Sequence, residues 1–314
     1  MNFPNTVRLI IANFSNIWKI LLYYIICAAV LGTILYFCAL PLVNALAAKG
    51  VFADIGNVLG SILSSSGHTA ENIQNIINTT FNVIGENAPR LAFQYTVIVL
   101  MLFFIIPFCF GLMELPLGEV LYGYMSSQTK YGFSGSFVKK IGKSCLLQLT
   151  KLLVLIPVNV IVITAVYYTL DLITLGSVGL IAAAFLIILT VIVVIALRET
   201  FFSLWMPASV VQDKGPFKSL SLAFRSTMRN FGKIFSVALV FVLLAVAVNV
   251  FFGLYTLMVA LIITIPLTKL AFITFDMCSY FESQGMRYYT NRSTVITPPK
   301  MEEQDRIAKI KYLI

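Results

Sequence analysis

Residues 231–280, FGKIFSVALVFVLLAVAVNVFFGLYTLMVALIITIPLTKLAFITFDMCSY, contain no charged side chain between Lys233 and Lys269. As one helix these fifty residues would extend roughly 75 Å, against a bilayer hydrocarbon core of about 30 Å. They are therefore two membrane spans joined at a turn, and Gly253 marks the turn. A second block, 146–197, divides in the same way at Asp171, Gly176 and Ser177. Two separate apolar stretches precede these blocks. The reading is six spans, near 18–44, 91–113, 146–170, 174–197, 234–253 and 255–276.

The whole composition agrees. Of 314 residues, 59% are hydrophobic and only 11% charged, with mean hydropathy +0.93, which no pair of soluble domains would show. The net charge of +9 does not point to nucleic acid, because the basic residues lie in short segments beside apolar runs. Arg8 and Lys19 precede the first span; Lys130, Lys139, Lys140 and Lys143 follow the second. Arg198, Lys214, Lys218, Arg225, Arg229 and Lys233 follow the fourth, and Arg287, Arg292, Lys300, Arg306, Lys309 and Lys311 the sixth. Only Lys49 and Arg90 fall on the opposite side, with Lys151 and Lys269 just inside span ends. By the positive-inside rule both termini are cytoplasmic, which agrees with an even number of spans, and the expected location is a cell (inner) membrane. The first apolar stretch is longer than a signal-peptide core and is expected to stay as a helix.

One sizeable exterior element remains, about 45–90. Val51, Ile55, Val58, Leu59, Ile62 and Leu63 recur at helical spacing, as do Ile73, Ile76, Ile77, Phe81 and Ile84. Two amphipathic helices, broken near Ser64–Gly67, are expected to lie in the interface or cap the bundle.

An internal pattern organises the rest. Arg8-LIIA-Asn13-Phe14, Lys143-SCLL-Gln148-Leu149 and Arg225-STMR-Asn230-Phe231 each place a basic residue, four intervening positions, an amide and a large apolar residue ahead of a span. The segments leaving the even spans align too: YGYMSSQTKYG to Gly132, WMPASVVQDKG to Gly215 and FDMCSYFESQG to Gly285. The fold expected is an all-α polytopic bundle of three parallel hairpin units, about 5–132, 133–215 and 216–285. They form one membrane domain over 1–285, with a mobile cytoplasmic tail over 286–314. Parallel units differ from the inverted repeats common in transporters.

Ionisable groups near the membrane gather at one depth. Glu114, the Arg198-Glu199 pair and Lys269 fall within two positions of one another when the exits are aligned, with Glu119, Lys151 and Asp276 nearby. This layer is the candidate site, either a packing network or the lining of a pathway. Arg8, Lys139, Lys140, Lys143, Arg225, Arg229 and Lys233 are candidate contacts for anionic lipid head groups. Asn159, Thr164, Thr190 and Asn249 are deeper and uncharged, suited to hydrogen bonds between helices. Pro107, Pro157 and Pro266 suggest kinks.

Enzyme signatures fail. His68 is the only histidine, so a multi-histidine metal site is impossible within this chain. Ser64, Ser65 and Ser66 beside it read as a turn, not a nucleophile with its base. No phosphate-binding glycine loop occurs, and Cys27, Cys38, Cys109, Cys145 and Cys278 form no CxxC pair and sit in or beside apolar segments. No cofactor is expected.

KSLSLAFRSTMRNFGKIFSVALVFVLL, with Ser219, Arg225, Asn230 and Phe231 leading into an apolar helix, resembles a segment of uncharacterised bacterial multi-pass proteins. It is similar also to the membrane domain of some glycerophosphoryl diester phosphodiesterases. The resemblance covers about a third of the chain and implies membrane architecture alone, since those enzymes carry their chemistry on a separate soluble domain. The function expected is a non-catalytic membrane subunit or scaffold for a protein partner, or a homo-oligomer. The alternative is a transporter, channel or lipid-handling permease, with a membrane enzyme third.

Overall fold

The computed structural model describes residues 3–63, 69–126, 132–175, 180–290 and 294–296. The expected turns at Ser64–Gly67 and Gly176–Ser177, the lone His68, Lys130 and the tail beyond Ile296 lie outside them. The chain begins with α1 (Phe3–Ala12), α2 (Asn16–Ala48), α3 (Val51–Leu63) and α4 (Thr69–Leu100). One π-helical turn, Met101–Ile105, then leads into α5 (Ile106–Gly111) and α6 (Glu114–Met125). After these come α7 (Phe133–Leu175), α8 (Leu180–Phe202), α9 (Trp205–Val211), α10 (Pro216–Arg229), α11 (Phe231–Tyr255) and α12 (Leu261–Gln284). Two short strands, β1 (Tyr288–Tyr289) and β2 (Val295–Ile296), pair antiparallel. Among the described residues six helices are long and apolar enough to cross a membrane: Asn16–Ala48, Pro89–Met125, Phe133–Ile161, Ile188–Val211, Phe231–Tyr255 and Leu261–Gln284. The protein is a multi-pass helical membrane protein.

The chain divides into two compact units. One unit is Ile25–Cys109; the other joins Met1–Tyr24 to Phe110–Ile314. In the first unit, Gly50 at φ +75° turns the chain from α2 into α3, which packs on α4. These are the two helices expected over 45–90. The second does not stop there: α4 continues toward the membrane through a bend at Leu91 (φ −110°, ψ 17°), two residues after Pro89. Proline removes a backbone donor and crowds the preceding turn, which accounts for the bend. The π turn Met101–Ile105 precedes Pro107, while Pro157 and Pro266 sit inside α7 and α12.

The second unit holds the core. The aligned exit segments converge, with α6, α9 and α12 packing pairwise on one another. Trp205, Leu117, Leu121, Phe275 and Tyr280 are buried among them. The approach is closest where Gly118 faces Met206: a Cβ on Gly118 would lie 2.5 Å from the Met206 sulfur. Each lead-in then lies against an exit, α1 on α12, α7 on α6 and α10 on α9. The other halves of α11 and α12 are bare, with Leu254 69% and Ile262 54% exposed. Bare apolar halves cost nothing in lipid, where exposure of leucine is not penalised.

The three lead-ins are alike at two of their amides only. Asn13 and Asn230 each donate Nδ2 to the carbonyl four residues earlier, at 3.0 Å to Leu9 and 3.2 Å to Ser226, and both stand at helix breaks. Gln148 instead sits within the unbroken α7. The segment from Met286, expected as tail, begins with the β hairpin. Buried Tyr288 donates its hydroxyl to Glu282 Oε1 at 2.8 Å and accepts from Asn5 Nδ2 at 3.2 Å, joining α12 to α1. Burial foremost, then Cys278 and Glu282, push the Tyr288 phenol up, so it stays a donor.

Leu9 is fully buried where α1 meets the core. Leu9→Ala is expected to lose about 2–5 kcal/mol, because it leaves a cavity as well as losing transfer energy. Thermal denaturation in detergent checks this; a transition within a degree of wild type would show that α1 does not hold the unit together.

Candidate functional site

The break between α5 and α6 creates the site. Where a helix stops inside a protein in lipid, its last carbonyls need donors from elsewhere. Two side chains of α7 supply them: Gln148 Nε2 donates to the Gly111 carbonyl at 2.6 Å, and Ser144 Oγ donates to the Leu112 carbonyl. Gly111 is required there, because any Cβ would fall on the Gln148 amide. Gln148 also donates to Glu114 Oε2 at 3.1 Å, tying the repair of the backbone to the first charged residue of α6.

Glu114 opens α6, where the helix N-terminus favours a carboxylate. It is held by two lysines from two other helices. Lys151 on α7 reaches Oε2 at 2.5 Å, and Lys269 on α12 donates to Oε1. Glu114 and Lys151 are 15% and 14% exposed, Lys269 29%. One carboxylate thus satisfies two ammonium groups and joins α6, α7 and α12. Of the residues expected in the layer, Glu114 and Lys269 meet here, together with Lys151, expected nearby.

The remaining members lie apart or are only loosely engaged. Arg198 Nη1 stands 4.0 Å from its neighbour Glu199 Oε1, both about a third exposed. Such a pair contributes little. Asp276, half-buried on α12, has a buried Oδ1 with no hydrogen-bond partner. Glu119 belongs to a second network nearer the α9–α10 turn: it pairs with Lys140 at 3.3 Å, and Lys140 approaches Asp213 at 3.6 Å. Lys143 meets Asp213 at 2.6 Å and donates to the Ser209 carbonyl at 2.9 Å. Asp213 is presented by a backbone in the left-handed region (φ +50°), which Asp tolerates better than most residues. Lys140 and Lys143, candidates for lipid contact by sequence, are therefore occupied within the protein. Arg8, Lys139, Arg225, Arg229 and Lys233 are exposed.

Deeper, Asn249 joins α11 to α12, accepting from Thr264 at 2.8 Å and donating to Thr268 at 3.0 Å. Thr164 and Thr190 bond within their own helices, to Val160 and Leu186. Two grooves border α1. One, about 560 Å³, is lined by Arg8, Ile11, Ala12, Thr290 and Thr294; the other, about 210 Å³, is apolar and includes Phe241 and Leu267. Neither is lined by Glu114, Lys151 or Lys269. Among the described residues no cluster of His, Cys, Asp and Glu suits a metal ion.

Glu114→Gln leaves two lysines facing each other without their counter-charge, and is expected to cost about 3–5 kcal/mol. Glu199→Gln, in a half-exposed pair, is expected to cost less than about 1 kcal/mol. Comparing their melting by size-exclusion after heating checks the pairing; equal effects would overturn it. Asp213 is held below its usual 3.8 first by the Lys143 hydrogen bond. A lowered carboxylate stabilises the folded state above the usual value and loses that contribution as pH falls through the lowered one. The melting difference between wild type and Asp213→Asn is thus expected to shrink below pH 4, and a difference that grows on acidification would refute the sign.

Comparison with protein-family models, with curated proteins and with solved structures finds no match.

Proposed function

We propose that this protein is a non-catalytic subunit or scaffold of a bacterial inner membrane, with both termini cytoplasmic, that works by holding a protein partner. The observation that carries this reading is the Glu114 bridge. Three members of the charged layer are spent on joining α6, α7 and α12 to one another, which is what a packing element does and what the lining of an open pathway does not. The three-hairpin arrangement belongs to the same reading. Each lead-in lies on the exit of the preceding unit, and α1 on α12 closes the circuit from last to first. Such a closed ring suits a rigid membrane platform, and fits the likeness to membrane domains whose chemistry resides elsewhere.

One observation favours the transport alternative. The unpartnered Oδ1 of Asp276 beside this layer is what a group awaiting a mobile proton or ion would look like, and a buried polar atom without a partner calls for an explanation. The two readings separate on two measurements. Native mass spectrometry after gentle extraction from the source membrane is expected to show a stoichiometric protein partner. A chain that is always alone sinks the scaffold reading. In proteoliposomes carrying an internal pH dye, wild type and Asp276→Asn are expected to match empty vesicles; a proton flux present in wild type and lost in Asp276→Asn would establish transport instead.

A further inference from the structure

α10 presents three stripes, of which its packing against the bundle explains only one. At about 100° per residue, Ser219, Ala223 and Thr227 share one sector, and these are the residues buried against the bundle. Phe224, Phe217 and Met228 fall about 140–180° from Ser219. They are exposed, at 49%, 68% and 44%. Arg225, Lys218 and Arg229 fall about 240–280° round, exposed as well. The helix contains no acidic residue, and among the described residues none of its cations is in an ion pair. Lys214 and Lys233 extend the positive stripe at both ends.

What covers such a surface must be apolar on one side and anionic on the other. A leaflet containing anionic phospholipid has that layering, acyl boundary beside phosphate. Continuity supports it: α10 ends at Asn230 and the chain enters α11 at Phe231 at once, whose Val240, Leu243 and Leu244 are exposed along a membrane-crossing helix. The same pair of features recurs at the aligned positions of α1, where Arg8 is exposed and Ile11 is 68% exposed, corresponding to Arg225 and Met228. We propose that α10 is an in-plane anchor for anionic phospholipid. Phe217, Phe224 and Met228 enter the acyl boundary while Lys218, Arg225 and Arg229 hold lipid phosphates. This deepens the membrane-platform reading by naming its lipid partner, without depending on whether a protein partner exists.

The test uses the full chain in nanodiscs of phosphatidylcholine, with and without one-third phosphatidylglycerol. Phe217→Cys and Lys214→Cys, each labelled with a polarity-sensitive dye against a wild-type labelling blank, report immersion. The dye at 217 is expected to emit as in hydrocarbon and to be quenched by spin-labelled lipid, while the dye at 214 emits as in water. The exposed triple variant Lys218→Gln, Arg225→Gln, Arg229→Gln is expected to retain less phosphatidylglycerol, by about five-fold per charge removed. The charge-conserving variant Lys218→Arg, Arg225→Lys, Arg229→Lys is expected to retain as much as wild type. Water-like emission at 217 in both discs, or lipid retention unchanged in the triple variant, overturns the proposal. Emission at 217 that turns apolar only in a complex isolated with another protein also overturns it and gives the stripe to that protein. A lone chain in native mass spectrometry, by contrast, would sink the scaffold and leave the result at 217 standing.

Discussion

A single carboxylate in a place where charge is expensive sets the terms for this fold. Glu114 has two lysines on it, from helices that come together only if the fold is complete. Removing ions from water costs several kcal/mol each, and the attraction between them repays this only with close geometry and further hydrogen bonds. The structure meets both conditions through the α5–α6 break. Stopping the helix at Gly111 places Glu114 at a new helix N-terminus and exposes two carbonyls, which Gln148 and Ser144 then satisfy from α7. Charge, backbone break and helix contact are one arrangement, and loss of any part leaves a buried polar group without a partner.

That arrangement explains why the core of its own unit gathers around it. In lipid, apolar side chains gain nothing by leaving hydrocarbon for one another, so long stretches of α7, α8, α11 and α12 have no reason to be buried. Polar groups have every reason to cluster. The buried set therefore gathers where the charged layer, the helix breaks and the lead-ins meet, and Trp205, fully buried with its indole donating to the Pro216 carbonyl at 2.9 Å, belongs to that set. The cations divide by the same logic. Lys140 and Lys143 had carboxylates within reach and took them, whereas those of α10, a helix without acids, face outward.

Much of this was legible in the sequence because bilayer thickness is a strict ruler. Fifty residues without a charge in their middle have few ways to fold, and six spans followed from length alone. Glu114 and Lys269 were legible as a layer since the exits align at their glycines. Lys151 was read only as a neighbour, because its register belongs to a lead-in. What the sequence could not display was the break at 112–113: Gly111 looks like one more small residue in an apolar run until the amide of Gln148, 37 positions away, occupies the space of its absent side chain. The docking of Tyr288 was hidden for a related reason. Asn5 and Glu282 reach it from opposite ends of the chain, and nothing in a polar-looking tail announces partners 283 residues distant.

The closure of α1 on α12 gives this distant pairing its meaning. Left apart, α1 and α12 would each present a bare face, and bare faces that carry buried polar residues cannot be left to lipid. Asn5 and Thr6, both buried, are such residues on α1. Bringing the two ends together satisfies Asn5 through Tyr288 and sets α1 against the core that α6, α9 and α12 share. Helices that share contacts in this way resist shear, because sliding any pair disturbs the contacts of the next.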